Sequence, residues 1–523
     1  MNERLYGKRV SSVFAIRVAE EKAMASGVTE DELIDKAATE LAEAVKAHAA
    51  KTDKILFVTG GGNNGSDGLT AAEKLRASGY DVAVMPVGER RNVGNEARLI
   101  RIKSSGVTIA DEIKTGAYAV VIDCVFGIGL SRAPEGEYAR AINEINASRA
   151  YVIAADVPSG LDADCGYAYS PCVKADLTVT FTAVKAGLIL GEGRNYAGEI
   201  EVAKVGIYAD SVGRILADGD AILPRRKPVS HKGTYGRVRV IGGSETMPGA
   251  PLMCFEAAVA ASRAGAGLVT LCVPGSEKTA FQSRVTETML DFLPSENGKL
   301  AFDPLALEKA TEGANAVVVG PGMGKSDEIR KIVVWLIENF SGVLVIDADG
   351  LNALAENPSV LLGKKGKVIL TPHVAEFKRL CPAFDIEKPS VETITDFARR
   401  YGAALAVKSA TTVITDGNEV FFNLTGTPAL AKGGSGDVLG GMTAAFACVL
   451  PPIAALKAAC FHFGKAGERA ARLGHERAFR RRYYRFEVRR VTSKLRKTEY
   501  FDETFAFVCS DTYKRDFLSI INV

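Results

Sequence analysis

Residues 54–70 read KILFVTGGGNNGSDGLT, an apolar run that breaks into a glycine-rich turn and leads at once into the helix-forming AAEKLRASG. Glycines 60, 62 and 65 satisfy G-x-G-x-x-G. A turn of this kind between strand and helix lets backbone N–H groups approach an anion at the helix N-terminus. The unit therefore reads as the first strand and helix of a doubly wound α/β sheet. It does not by itself decide the chemistry. A dinucleotide-binding fold also wants an acid at the end of its second strand, and here that strand ends VMPVGER, with Asp81 at its beginning. Asn63, Asn64 and Asp67 crowd the loop with side-chain oxygens, which suit a cation and a polar ligand better than pyrophosphate alone. The bland alternative is a tight turn in which the asparagines tolerate left-handed backbone.

Working outward, strand and helix alternate. ILFVTG (55–60), DVAVMPV (81–87), AVVIDCVFG (119–127), AYVIAADVPSG (150–160) and DLTVTFT (176–182) are strand candidates separated by helical stretches. That rhythm predicts a parallel sheet covered on both faces. The opening 48 residues read as helix, with a capped start at Thr29 in TEDELIDKAA. Around 208–235 the rhythm breaks into a loop rich in Gly, Pro and basic residues, where the domain boundary is expected. A second series follows: VRVIGG (238–243), GLVTLCVP (267–274), AVVVGPG (316–322), GVLVIDAD (342–349), KVILTP (367–372) and ALAVKS (404–409). No sequence repeat relates the halves, so two different α/β domains are expected, at 1–215 and 225–479, with an atypical basic tail at 480–523.

A chain of 523 residues, 47% hydrophobic and 24% charged, has room for two sizeable cores. No run reaches the eighteen or so apolar residues of a membrane span, and charges interrupt the N-terminus throughout, so neither membrane nor export is expected. The nine cysteines form no C-x-x-C pair, which predicts a reducing, cytoplasmic setting and no zinc site. Residues 472–497 hold eleven Lys/Arg against two acids, a net +9 that leaves −6 for the rest of a chain totalling +3. Such a run is more often a solvated segment than a nucleic-acid patch, so nucleic acid is not the expected partner.

DCVFGIGLSRAPEG (123–136) and DVPSGLDADCG (156–166) each follow a strand and begin with aspartate. Carboxyl ends of parallel strands converge on one crevice. Asn64, Asp123 and Ser159 are thus candidate oxygen ligands for a hard monovalent cation, and Asp156, after the apolar VIAA, is the candidate catalytic carboxylate. GGGNNGSDGL, DCVFGIGLSR and DVPSGLDAD resemble the epimerase domain of the NAD(P)H-hydrate repair enzymes over roughly 10–210. That resemblance implies interconversion of the R and S hydrates of NADH and NADPH at the C6 hydroxyl. Its hydrate site would comprise Asn63, Asn64, Gly65, Ser66 and Asp67, the loop Gly127, Ile128, Gly129, Leu130, Ser131, Arg132 and Ala133, and Asp156. Potassium would sit on Asn64, Asp123 and Ser159. Ser66 stands where the family usually has glycine, and Lys185 in TFTAVKAGLIL reads as an exposed turn lysine, with a polar contributor to the site as the alternative.

AKGGSGDVLGGMTAAFA (431–447) carries a stronger signal. Backbone N–H groups of Gly434–Gly436 would form an anion hole for a transferring phosphoryl group, reinforced by the helix that follows. Asp437 would then stand beside that anion, placed to take a proton from a substrate hydroxyl. G-G-[ST]-G-D opening a helix is similar to ribokinase-like kinases, which supplies an alternative: a kinase of a small hydroxylated vitamin precursor fused to a dinucleotide-binding domain. HKGTYGRVRVIGGS, GPGMG, DADGLNAL, LTPHVAEF and KSATTVI together resemble the nucleotide-dependent NAD(P)H-hydrate dehydratase over roughly 225–470. In that family ADP or ATP, with magnesium, phosphorylates the hydrate's hydroxyl, and loss of phosphate restores the nicotinamide ring. By that resemblance Ala250, Gly322 or Gly324, His373 and Asp437 line the hydrate pocket, while Lys408, Ser409, Ala410, Thr411, Thr412 and Gly436 hold the nucleotide. Ser409 replaces a family glycine, and Val374-Ala375 replaces Pro-Gly, so a side chain enters a close backbone approach at each.

The resulting expectation is a bifunctional repair enzyme with a Rossmann-like half and a ribokinase-like half, acting on hydrated NADH or NADPH. ADP is preferred over ATP, and the family commonly forms homo-oligomers. A degenerate, RNA-associated scaffold using the basic tail is the non-enzymatic alternative.

Overall fold

The computed structural model describes residues 3–245, 250–283 and 285–472, with backbone alone at 250–252 and 254. The candidate Ala250 therefore enters only as the first residue of the helix Ala250–Arg263, and the basic tail 480–523 falls outside the described residues.

Seven parallel strands make the first sheet, in the spatial order Thr108–Ile109, Asp81–Pro86, Lys54–Thr59, Val120–Cys124, Tyr151–Ala155, Leu177–Phe181, Glu199–Ala203. Counted along the chain this is 3-2-1-4-5-6-7, whose first six strands follow the order of dinucleotide-binding sheets. Parallel strands packed on both faces are apolar throughout: every residue of Val120–Cys124 is buried, and all of Lys54–Thr59 except its first lysine. The order reverses between these two strands, so the crevice opens at Gly60–Asp67 and the loop after Cys124. A Cβ on Gly60 would lie 2.1 Å from the Val125 carbonyl, and one on Gly65 only 1.9 Å from the Gly60 carbonyl. These glycines are there for close backbone approach. Ser66 sits inside the helix Asn63–Ala77 with ordinary backbone angles, so its side chain needs no special conformation.

The second sheet runs Met289–Leu293, Leu268–Pro274, Arg237–Ile241, Ala316–Val319, Val343–Ile346, Lys367–Leu370, Ala404–Val407, then an antiparallel pair Thr412–Thr415 and Val420–Asn423. Its order within that half is 3-2-1-4-5-6-7-8-9, with the same reversal between first and fourth strands.

Three short strands from the first part of the chain extend this second sheet. Gly213–Ile215 pairs with Val420–Asn423, Arg9–Ser11 pairs with Gly213–Ile215, and Val184–Lys185 pairs with Arg9–Ser11. The opening segment is therefore not all helix. The capping box expected at Thr29 is present, with Glu32 bonding back, and opens Glu30–His48. Arg9–Ser11, however, is strand: three residues between a turn and a helix carry no periodic signal, and pairing partners far along the chain decide their conformation. Likewise 208–235 is not all loop, since it contains Gly213–Ile215. One buried apolar cluster runs across the junction, joining Val10, Val157, Val184 and Ile189 to Val413, Phe422 and Leu424. No helix among the described residues is long and apolar enough to cross a membrane.

Candidate active sites

The first crevice gathers Asn64, Asp123 and Ser159. Asp123 is wholly buried and accepts from the Ser159 amide at 2.7 Å, its hydroxyl at 2.6 Å and the Val125 amide at 3.1 Å. Burial pushes its carboxyl up to about 6 against those donors. Asn64 donates to the Phe126 carbonyl at 2.9 Å, and its own Oδ1 is buried with no partner among the described residues. The oxygens of Asn64, Asp123, Ser159 and Phe126 thus form a small cluster at the carboxyl ends of the first and fourth strands. Asn63, by contrast, has its side chain taken up by Glu30 and Asn92 at 2.6 and 2.8 Å. The loop Gly127–Ala133 leaves the same strand end; Gly127 stands against the Asn64 side chain, and the Ser131 carbonyl accepts from Tyr169 at 3.2 Å.

Asp156 follows the fifth strand in left-handed backbone, φ 67°, which a non-glycine residue adopts at a cost. Its Oδ1 accepts from the Phe181 amide at 3.1 Å and from the ammonium of Lys185. Lys185 is 1% exposed. The expectation of an exposed turn lysine is therefore wrong, because lysine reads as a surface residue until its ionic partner, 29 positions away, is known. Two more carboxyls surround the pair. Burial and then Asp156 raise Glu20, and burial, Asp156 and Glu20 together raise Asp67 well above the usual range.

The second crevice is built around Asp437, buried in the first turn of Ser435–Ala447. Gly434 caps that helix with φ 88°, a left-handed conformation suited to glycine. Burial, then the nearby Asp347, push the Asp437 carboxyl up to about 7 against the pull of Lys408. Asp437 Oδ1 and Ser435 Oγ in this turn, and Thr411 Oγ1 in the loop after Ala404–Val407, are buried without partners among the described residues. Lys408 pairs with buried Asp347 at 3.0 Å, and the Thr371 hydroxyl donates to the same carboxylate oxygen at 2.9 Å. A Cβ on Gly436 would lie 3.1 Å from the Lys408 ammonium, so glycine keeps that cation open to the turn. Ser409 folds its hydroxyl onto the Thr411 carbonyl at 2.6 Å. The Ala410 carbonyl accepts from Arg194, a residue of the first half.

His373 caps the helix Val374–Leu380, with Nδ1 accepting from the Ala375 and Glu376 amides at 3.1 and 3.3 Å. The proton therefore sits on Nε2, and burial with Lys408 lowers the ring's proton affinity. Gly322 and Gly324, both with positive φ, form the turn after the fourth strand, and the Gly324 amide donates to Asp349 at 2.8 Å. Sequence reasoning quoted DADGLNAL but gave Asp347 no role. The available signal was its match to the first half: an apolar strand ending in aspartate, as at Asp156.

The model for YjeF-related protein N-termini matches residues 30–187, and that for NAD(P)H-hydrate dehydratase matches 238–477. The chain is 37% identical over 480 residues to the bifunctional NAD(P)H-hydrate repair enzyme Nnr of Moorella thermoacetica, covering 85% of this chain and 89% of that one. The enzyme of the same name from Pyrobaculum aerophilum is 35% identical over 478 residues, covering 87% and 92%. Among solved structures, the ADP/ATP-dependent NAD(P)H-hydrate dehydratase of Bacillus subtilis, co-crystallised with ATP and magnesium, is 26% identical and covers 50% of this chain and 90% of its own, at a TM-score of 0.40.

Proposed function

The chain belongs to the bifunctional NAD(P)H-hydrate repair enzymes, epimerase in its first half and nucleotide-dependent dehydratase in its second, and on that premise we propose how its residues divide the work. The working division is 1–215 for epimerisation, 225–479 for dehydration and 480–523 as a basic tail.

In the second half Asp437 is the base. The hydrate's C6 hydroxyl gives its proton to Asp437 as its oxygen attacks the terminal phosphoryl of ADP or ATP, whose bond to the bridging oxygen breaks and releases AMP or ADP. The C6–O bond then breaks with its electron pair leaving on phosphate, a proton leaves C5, and the ring double bond returns. The Gly434–Gly436 amides and the Lys408 ammonium face the charge that develops on the phosphoryl oxygens. The observation that carries this reading is the pair of orphaned buried oxygens on one glycine turn, Asp437 Oδ1 and Ser435 Oγ, with the Lys408 ammonium against Gly436. Lys408, Ser409, Ala410, Thr411, Thr412 and Gly436 hold the nucleotide, with ADP preferred and magnesium arriving on its phosphates. Gly322, Gly324, His373 and the segment at Ala250 hold the hydrate. A kinase of a vitamin precursor is the less supported reading, because the curated relatives match across both halves.

In the first half Asp156 is the base. Inversion at a carbon bearing both hydroxyl and ring nitrogen requires one of those bonds to open. Removing the hydroxyl proton favours opening C6–N1 to the aldehyde, and reclosure on the other face returns the proton. Asn63–Asp67 and Gly127–Ala133 hold the hydrate. Potassium fits the hard-oxygen set of Asn64, Asp123 and Ser159, with the orphaned Asn64 Oδ1 as the supporting observation. When bound, it supplies fixed positive charge at the turn. Unpaired thiols at the seven described cysteines support a cytoplasmic location, and the family resemblance supports a homo-oligomer.

The test is recovery of absorbance at 340 nm from mixed R and S hydrates with ADP, magnesium and potassium. Full recovery is expected, rising with pH through about 7 as Asp437 ionises. Asp437→Asn should lower dehydration by about 10³-fold while epimerisation persists. Accumulation of a phosphorylated product without reduced nicotinamide would instead favour the kinase.

A further inference from the structure

Lys185 does not belong to the sheet that carries Asp156. Its strand Val184–Lys185 is the outermost of the second sheet, held in parallel register by Arg9–Ser11 and, through Gly213–Ile215, by Val420–Asn423 of the dehydratase half. From there its side chain reaches Asp156, and its ammonium meets only oxygens: Asp156 Oδ1 and the Phe181 carbonyl at 2.6 Å. A buried ammonium stays charged only against an ionised partner, and the reverse holds for the carboxylate. The Phe181 amide and, at 3.5 Å, the Thr180 hydroxyl also converge on Oδ1, which leaves Asp156 Oδ2 without a partner among the described residues. One oxygen is anchored and the other is free.

We propose that Lys185 is a positioning residue for epimerisation, holding Asp156 Oδ1 as its counter-charge and turning Oδ2 toward the substrate's hydroxyl proton. The inference rests on Asp156 being the epimerase base. It adds that the cation serving that base is mounted on the sheet of the other half. The surroundings make the cation necessary. Glu20, from Val13–Ala25, and Asp67, from Asn63–Ala77, are two further carboxyls coupled to Asp156, while Arg17, Glu30 and Arg98 act on those two. Without the ammonium, Asp156 Oδ1 loses its charged partner.

The experiment uses the full-length enzyme and measures conversion of R to S hydrate, with dehydration of pure S hydrate as an internal check of the fold. Lys185→Gln keeps a hydrogen-bond donor and removes the charge. It should lower epimerase kcat by about 10²-fold with KM within about threefold, and move the acid limb of the kcat profile to higher pH. Lys185→Arg should be intermediate, because a planar guanidinium reproduces the charge but not the point contact. Asp156→Asn separates the two readings. If it abolishes epimerisation while Lys185→Gln keeps kcat and its acid limb unchanged, Lys185 is merely structural and the inference falls. If Asp156→Asn retains epimerisation, the reading of Asp156 itself fails. Should Lys185→Gln lose both activities, Lys185→Arg decides: dehydration restored with epimerase kcat at or below the parent's and KM unchanged supports the proposal, and equal loss of both activities overturns it.

Discussion

The two halves wind their sheets through the same reversal, 3-2-1-4-5-6, and each ends its fifth strand in a buried aspartate paired with a lysine: Asp156 with Lys185, Asp347 with Lys408. The backbone turns sharply close by in both, with φ 67° at Asp156 itself and 48° at Ala348, the residue after Asp347. What differs is the group left facing the crevice. In the first half the paired aspartate keeps an oxygen free. In the second half the helix Ser435–Ala447 brings its own carboxyl, Asp437, with its orphaned Oδ1, and the Asp–Lys pair lies behind Gly436. A shared scaffold thus offers a strand-end ion pair, and the second half makes it support a new base beside an anion hole. On the proposed division, one pair acts on substrate and the other holds charge for a transferring phosphoryl group.

The largest test of that contrast is Lys408→Met. It should abolish detectable dehydration, and because it strands Asp347 in the interior it should lower unfolding free energy by about 3–5 kcal/mol, measured by denaturant titration. Adding Asp347→Leu should return most of the stability and none of the dehydration. A single variant as stable as the parent would mean that the second pair is not the buried ion pair described. The smallest effect is expected where the halves touch. Arg194→Ala removes the donor to the Ala410 carbonyl and should raise the nucleotide KM about two- to fivefold, leaving R-to-S conversion unchanged. Equal loss of both activities would show that the junction supports the whole chain, and not the nucleotide loop in particular.

Much of this was legible in the sequence because parallel strands buried on both faces announce themselves as apolar runs. All eleven expected strands are present, and three of them, at their carboxyl ends and in the turns that follow, carry Asn64, Asp123 and Ser159 into the first crevice, while Asp437 follows Val420–Asn423, a strand not among the eleven. The edge strands Arg9–Ser11, Val184–Lys185 and Gly213–Ile215 were not legible, since two or three residues have no period and their partners lie far away in the chain. For the same reason Lys185 read as a solvated turn residue. Its role depends on a sheet that the sequence does not display. Asp347 was visible as a residue but not as a partner, because Lys408 is 61 positions distant.

The central claim is that the two carboxylates, Asp156 and Asp437, do separate jobs. It is tested most directly by supplying pure R hydrate to Asp156→Asn with ADP, magnesium and potassium, and following absorbance at 340 nm. The account predicts recovery no faster than uncatalysed epimerisation allows, with pure S hydrate still recovered at the parent rate. Recovery of R hydrate at the parent rate would contradict it.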